Sequence, residues 1–292
     1  MFTGIFPAVI TPFKGNAIDE AAFRDHVEWL ITEGVHGLVP CGTTGEAGAL
    51  TLEEYARVVR FTVAQARGRV PVIAGAGANI TEKATQLTTL CTECKADGLL
   101  HVTPYYNKPT QEGLAQHFQA VAAATPLPII LYNVPGRTGV NLLPPTVARL
   151  AGINNIVGLK DASGSLTQAT EHRAAVSDTF ALLSGEDALN YPLYAIGYQG
   201  AISVTANVAP RRVAELWNAW QRGDTATAAR LHQALYALNQ ALFIESNPIP
   251  VKTALALMGR CEEAWRLPLT PMAPANRDRL AAVLRTAQLL AP

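Results

Sequence analysis

The sequence is short of charge. Asp, Glu, Lys and Arg make up 16% of its 292 residues, against about 25% in an average soluble domain. Neither sign is in excess, since 23 basic residues balance 23 acidic ones. Nucleic acid and anionic membrane surfaces both ask for a basic excess, so neither is expected as a partner. Hydrophobic residues reach 49%, and a surface this poor in charge predicts that other copies of the chain cover part of it. No apolar run is long enough to span a bilayer. The N-terminus lacks the basic stretch and apolar stretch of a secretory signal. Four cysteines are too few for a disulfide scaffold, and a cytoplasmic location is expected. The six histidines do not cluster.

What the chain does have is alternation. Short apolar runs at Gly4–Phe13, Gly34–Cys41, Val70–Ala76, Gly98–Thr103, Pro128–Val134, Ile156–Lys160, Phe180–Ser184 and Ala201–Thr205 read as strands. Each precedes a helical pattern, at the spacing of a βα unit. Eight such units predict an α/β fold, a closed parallel (β/α)8 TIM barrel over residues 1–223. Strands cease after that. Ala226–Ile244, Pro250–Gly259 and Pro274–Leu290 read as helices of a C-terminal extension over residues 224–292. Asp19 is a candidate cap for the first helix, Thr51 with Glu54 a capping box, Asn79 with Glu82 a similar cap, and Pro210 a first-turn residue.

In such a barrel the active site lies at the carboxyl ends of the strands. Strand six ends in Ile156-Val-Gly-Leu-Lys160-Asp. A lysine is costly to bury, and burial favours its neutral amine, which attacks carbonyls to form Schiff bases. The plain structural reading is a lysine that reaches water or pairs with Asp161. Gly42-Thr43-Thr44-Gly45-Glu46 ends strand two. It is either a simple turn or a cradle of N–H and hydroxyl donors for an anion. Tyr132, on strand five, is either packing or a proton relay. Arg137 is either half of a surface ion pair or a bidentate clamp for a carboxylate. Any one of these groups is unremarkable, but all of them on the strand ends of one barrel point to a single site. Cys91-Thr-Glu-Cys94 falls at the end of a helix, where the dipole does not activate a thiol, and no second pair suggests zinc.

These residues resemble the pyruvate-dependent Schiff-base lyases and aldolases, the N-acetylneuraminate lyase superfamily. The resemblance spans roughly residues 1–290. It rests on Gly42–Glu46, the tyrosine-bearing strand five with Tyr132–Thr138, Gly158-Leu-Lys160-Asp and Glu245–Lys252. It implies a lyase of amino-acid biosynthesis in which Lys160 forms an imine with pyruvate, and the derived enamine attacks L-aspartate 4-semialdehyde on the diaminopimelate and lysine route. By the same resemblance Thr43, Tyr132 and Tyr106 form a proton-relay triad, with Tyr106 supplied by a neighbouring subunit of a homo-oligomer, most often a tetramer built as a dimer of dimers. Thr44 would hold the pyruvate carboxylate and Arg137 that of the semialdehyde. Gly185 and Ile202 would line the pocket with backbone groups. No metal or organic cofactor is implied. The alternative within the superfamily is N-acetylneuraminate lyase or a keto-deoxy sugar acid aldolase, for which a guanidinium at Arg137 is less useful. A non-catalytic keto-acid sensor would be expected to lack Lys160 or Tyr132.

Members inhibited by L-lysine bind it at a subunit interface. Asn79 and Tyr105 match that site, whereas Leu52 and Tyr55 stand where some members have histidines, and Lys83 where sensitive ones have glutamate. Weak or absent inhibition is expected, with Glu82 facing away from the site.

Overall fold

The computed structural model describes residues 2–291. Nine strands are present among the described residues: β1 (Gly4–Pro7), β2 (Phe13–Lys14), β3 (Ala17–Ile18), β4 (Ile73–Gly75), β5 (Gly98–Val102), β6 (Ile129–Asn133), β7 (Ile156–Asp161), β8 (Ala181–Ser184) and β9 (Gly200–Ser203). Seven form one parallel sheet in the order β1-β9-β8-β7-β6-β5-β4, while β2 and β3 make a small hairpin. The expected strand at Gly34–Cys41 is reduced to two isolated bridges, Ala8 to Val39 and Leu38 to Val72. Those bridges lie between β1 and β4 and curl the sheet closed into a (β/α)8-type barrel. The ladder is short there because Pro40 has no N–H to donate, although its carbonyl still accepts from Gly75 at 2.9 Å. The run Gly4–Phe13 is likewise two strands rather than one.

The strand side chains sort by parity. Phe6, Ala8, Val39, Ile73, Leu100, Ile130, Leu183 and Ile202 fill the barrel interior. Their neighbours Ile5, Leu38, Val72, Leu99, Leu131, Leu182 and Ala201 face the surrounding helices. Register then decides where Lys160 points. It pairs with Tyr132 on one side and Leu183 on the other, both inward residues, so Lys160 points inward too.

Helices follow as the pattern predicts. Asp19 caps Glu20–Thr32 through the Ala22 N–H, and Thr51 and Glu54 complete a capping box on Leu52–Ala66, a device worth about 1 kcal/mol. Pro210 opens Pro210–Gln221. Asn79 caps nothing. The helix Thr81–Glu93 starts from Ile80 without a side-chain cap, and the Asn79 carbonyl instead accepts from Asn107 Nδ2 at 2.7 Å. After the barrel come Thr225–Ala241, Ile249–Leu257 and Pro274–Thr286.

Candidate active site

A cavity of about 710 Å³ opens at the carboxyl ends of the strands. Lys160, Tyr132, Thr43, Thr44, Arg137 and Gly185 all line it, so residues distant in sequence converge as expected.

Lys160 is the deepest charged group among these. Its residue is 6% exposed, and Nζ lies 4.0 Å from the centre of the Tyr132 ring. Burial, helped by Arg137 and opposed by Asp187 and Glu186, pulls its pKa down to about 7. Near neutrality a large share of the amine is therefore unprotonated and nucleophilic. Gly185 makes room for it, because a Cβ there would sit 3.0 Å from Lys160 Cε and 2.8 Å from Ala162 Cβ. Tyr132 has its pKa raised to about 12, chiefly by burial. It stays a neutral phenol, able to pass a proton in either direction.

The Gly42–Glu46 loop sits opposite. A Cβ on Gly75 would lie 2.2 Å from the Cys41 carbonyl oxygen, so glycine lets the loop lie close against β4. Thr44 is buried, and its Oγ1 accepts from Asn247 Nδ2 at 2.9 Å. Thr43 is exposed towards the cavity. Arg137 rides on the one-turn helix Pro135–Thr138, with its side chain exposed at the rim.

Two expected residues do not join this constellation within one chain. Tyr106 is 88% exposed and lies outside the cavity wall, with φ at 76°. Its backbone N–H donates to the Thr138 carbonyl at 3.2 Å, which ties its loop to the segment bearing Arg137. Ile202 belongs to the barrel interior, and the wall nearby is formed by Val204.

Other groups at the strand ends, Glu46 and Asp187 among them, have no role assigned from the sequence. Asp187 is buried and accepts from the Val204 and Thr205 N–H groups, both at 2.9 Å, and from Asn190 Nδ2 at 3.2 Å. Glu46 pairs with Lys252 of the C-terminal extension at 2.6 Å, and both side chains are fully buried. Both residues lie in motifs singled out above, but nothing local pairs one with the other. A smaller hollow of about 430 Å³ is lined by Leu52, Tyr55, Glu82 and Lys83 among others. Glu82 thus shares that wall with Lys83, contrary to expectation. Cys91 lies in the helix Thr81–Glu93, and Cys94 caps its C-terminal end. Both are buried, with thiol pKa values pushed up by burial.

A parallel barrel with a buried, unpaired lysine at a strand end defines a class of proteins whose candidate reactive group is an amine. The sequence model of the Dihydrodipicolinate synthetase family matches residues 1–287, and the chain belongs to that family. It is 53% identical, over 290 residues, to the 4-hydroxy-tetrahydrodipicolinate synthase of Thermodesulfovibrio yellowstonii, covering 99% of this chain and 100% of that one. The enzyme of the same name from Geobacter sulfurreducens is 52% identical with the same coverage. The crystal structure of dihydrodipicolinate synthase from Aquifex aeolicus superposes with a TM-score of 0.97 at 45% identity, covering 99% of both chains.

Proposed function

We propose that this chain is a 4-hydroxy-tetrahydrodipicolinate synthase, condensing pyruvate with L-aspartate 4-semialdehyde in diaminopimelate and lysine biosynthesis. The observation that carries the reading is Lys160, inward, buried without an ion-pair partner, and beside Tyr132 at the cavity floor.

In this reading the Lys160 amine adds to C2 of pyruvate and water leaves, giving a protonated imine. The imine acidifies the methyl group, and loss of a C3 proton yields the enamine. C3 attacks the aldehyde carbon, whose oxygen takes a proton and becomes the hydroxyl of the product. The semialdehyde's own amino group then adds to the imine carbon. The ring closes and the Lys160 amine departs unchanged. Tyr132, Thr43 and Tyr106 of a neighbouring copy would relay the protons. The Thr43-Thr44 cradle would hold the pyruvate carboxylate and Arg137 that of the semialdehyde, with backbone groups of Gly185 shaping the floor. The exposed Tyr106 suits a homo-oligomer, read here as a tetramer of two dimers. No helix among the described residues is long and apolar enough to cross a membrane, which suits a cytoplasmic enzyme.

An assay coupled to a reductase that oxidises NADPH with the product tests the reading. Pyruvate and the semialdehyde together should drive NADPH loss. Consumption of sugar acids with release of pyruvate, and no NADPH loss, would favour the aldolase alternative.

A further inference from the structure

The C-terminal extension reaches back to the Gly42–Glu46 loop by two buried polar links. Glu46 sits in the left-handed region, φ 52°, at the end of that loop. Its Oε1 accepts from Lys252 Nζ at 2.6 Å and its Oε2 from the Arg266 N–H at 3.2 Å. The Lys252 ammonium also lies 4.3 Å from the centre of the Phe13 ring. Neither charge touches solvent, so each depends on the other for its stabilisation. One residue pair along, Asn247 Nδ2 donates to Thr44 Oγ1. That bond occupies a lone pair of the Thr44 hydroxyl and leaves its hydrogen free for an acceptor in the cavity.

We propose that the Glu46–Lys252 pair, with Asn247, positions the Thr43-Thr44 cradle for a carboxylate. The claim rests on the functional reading above. Lys252 and Glu46 do not touch substrate in it; they act through Thr44. A loop held at its middle and at one end by buried bonds presents its donors without reorganising. Releasing it weakens binding of the first substrate and spares the step that uses the second. Misplacement of a binding group by about 1 Å is worth up to a hundredfold.

The test uses full-length protein titrated with pyruvate in the presence of borohydride, with the modified fraction read by mass spectrometry and thermal unfolding followed on the same samples. The proteins are wild type, Lys252→Met, the neutral double variant Glu46→Gln/Lys252→Met, and Asn247→Ala. The double variant removes both charges, so it retains the fold even if Lys252→Met alone does not. We expect its half-saturating pyruvate to rise about tenfold or more. Half-saturation for the semialdehyde at saturating pyruvate should stay within about threefold. Asn247→Ala should shift in the same sense by a smaller factor. A folded double variant with half-saturating pyruvate within twofold of wild type overturns the positioning role. So does an equal loss for both substrates, which a merely structural role gives. Wild-type protein that takes up no pyruvate overturns the functional reading itself.

Discussion

Lys160 and Lys252 are both buried in the same molecule, 6% and 0% exposed, yet only Lys252 has a carboxylate at hydrogen-bonding distance. Burial pulls down the pKa of both. For Lys252 the Glu46 carboxylate at 2.6 Å, charge and hydrogen bond together, works against that pull. For Lys160 the opposing acids Asp187 and Glu186 are not in contact, and the value falls to about 7. The difference teaches that a buried amine becomes a nucleophile by lacking a partner. One lysine is held by a carboxylate and ties two parts of the chain together. The other gives its proton up and is free to react.

Removing the unpaired lysine should have the largest effect on activity. Lys160→Ala is expected to lower turnover at least about a thousandfold and to abolish the borohydride adduct with pyruvate. An adduct that persists on another lysine would break the comparison. Removing the paired lysine should show in stability as well as in pyruvate binding. Lys252→Met leaves Glu46 charged and buried, at a cost of about 3–5 kcal/mol in urea denaturation, most of it recovered when Glu46→Gln is added.

Arg137 is the cation that helps to depress Lys160. Arg137→Ala should lower kcat/KM for the semialdehyde by about 30-fold or more, the loss expected for a charge-assisted carboxylate contact. Imine formation with pyruvate should survive. If imine formation is lost and use of the semialdehyde is not, the carboxylate assignments are reversed.

The pH dependence separates the two lysines further. Because the folded Lys160 has a pKa near 7 against 10.5 unfolded, the unfolded chain binds more protons between those values. Stability contributed by this residue therefore rises with pH from about 7 towards 10.5. Wild type should gain on Lys160→Met across that window in denaturation experiments. The rate of imine trapping should rise with pH and level off above about 7.

The smallest effect concerns Lys83, an exposed lysine on the wall of both hollows. A bound L-lysine would place a second ammonium near it. Half-inhibition is expected only above about 1 mM. Glu82 lines the same hollow, so Lys83→Glu should sharpen inhibition, and strong inhibition of the wild type would show that Glu82 already supplies the acid.

The barrel was legible because its signals are local. Ile156, Val157 and Leu159 mark a strand, and Lys160 at its end marks the candidate site. The second strand is shorter than its apolar run because Pro40 removes the donor that would extend the ladder, and the run after Pro7 breaks before a hairpin at Phe13 and Ala17. Asn79 has the chemistry of a cap, but its loop is held through its carbonyl by Asn107. Thr43, Thr44, Tyr132, Arg137 and Gly185 converge because the barrel rule gathers strand ends. Lys252 and Asn247 follow no such rule. They reach the cradle through tertiary packing of a segment about 200 residues further on, and no spacing along the chain encodes that.

Tyr106, bare to solvent on its loop, carries a consequence for how such a protein lives in a cell. If a neighbouring copy finishes the site, as proposed, activity becomes a property of concentration. Dilute chains would then be idle and crowded chains would work, so output would rise more steeply than the amount of protein made. Two defective chains can also repair each other. A copy lacking Lys160 still offers its Tyr106, and a copy lacking Tyr106 still offers its Lys160. Mixed assemblies of the two would hold some complete sites where either parent holds none.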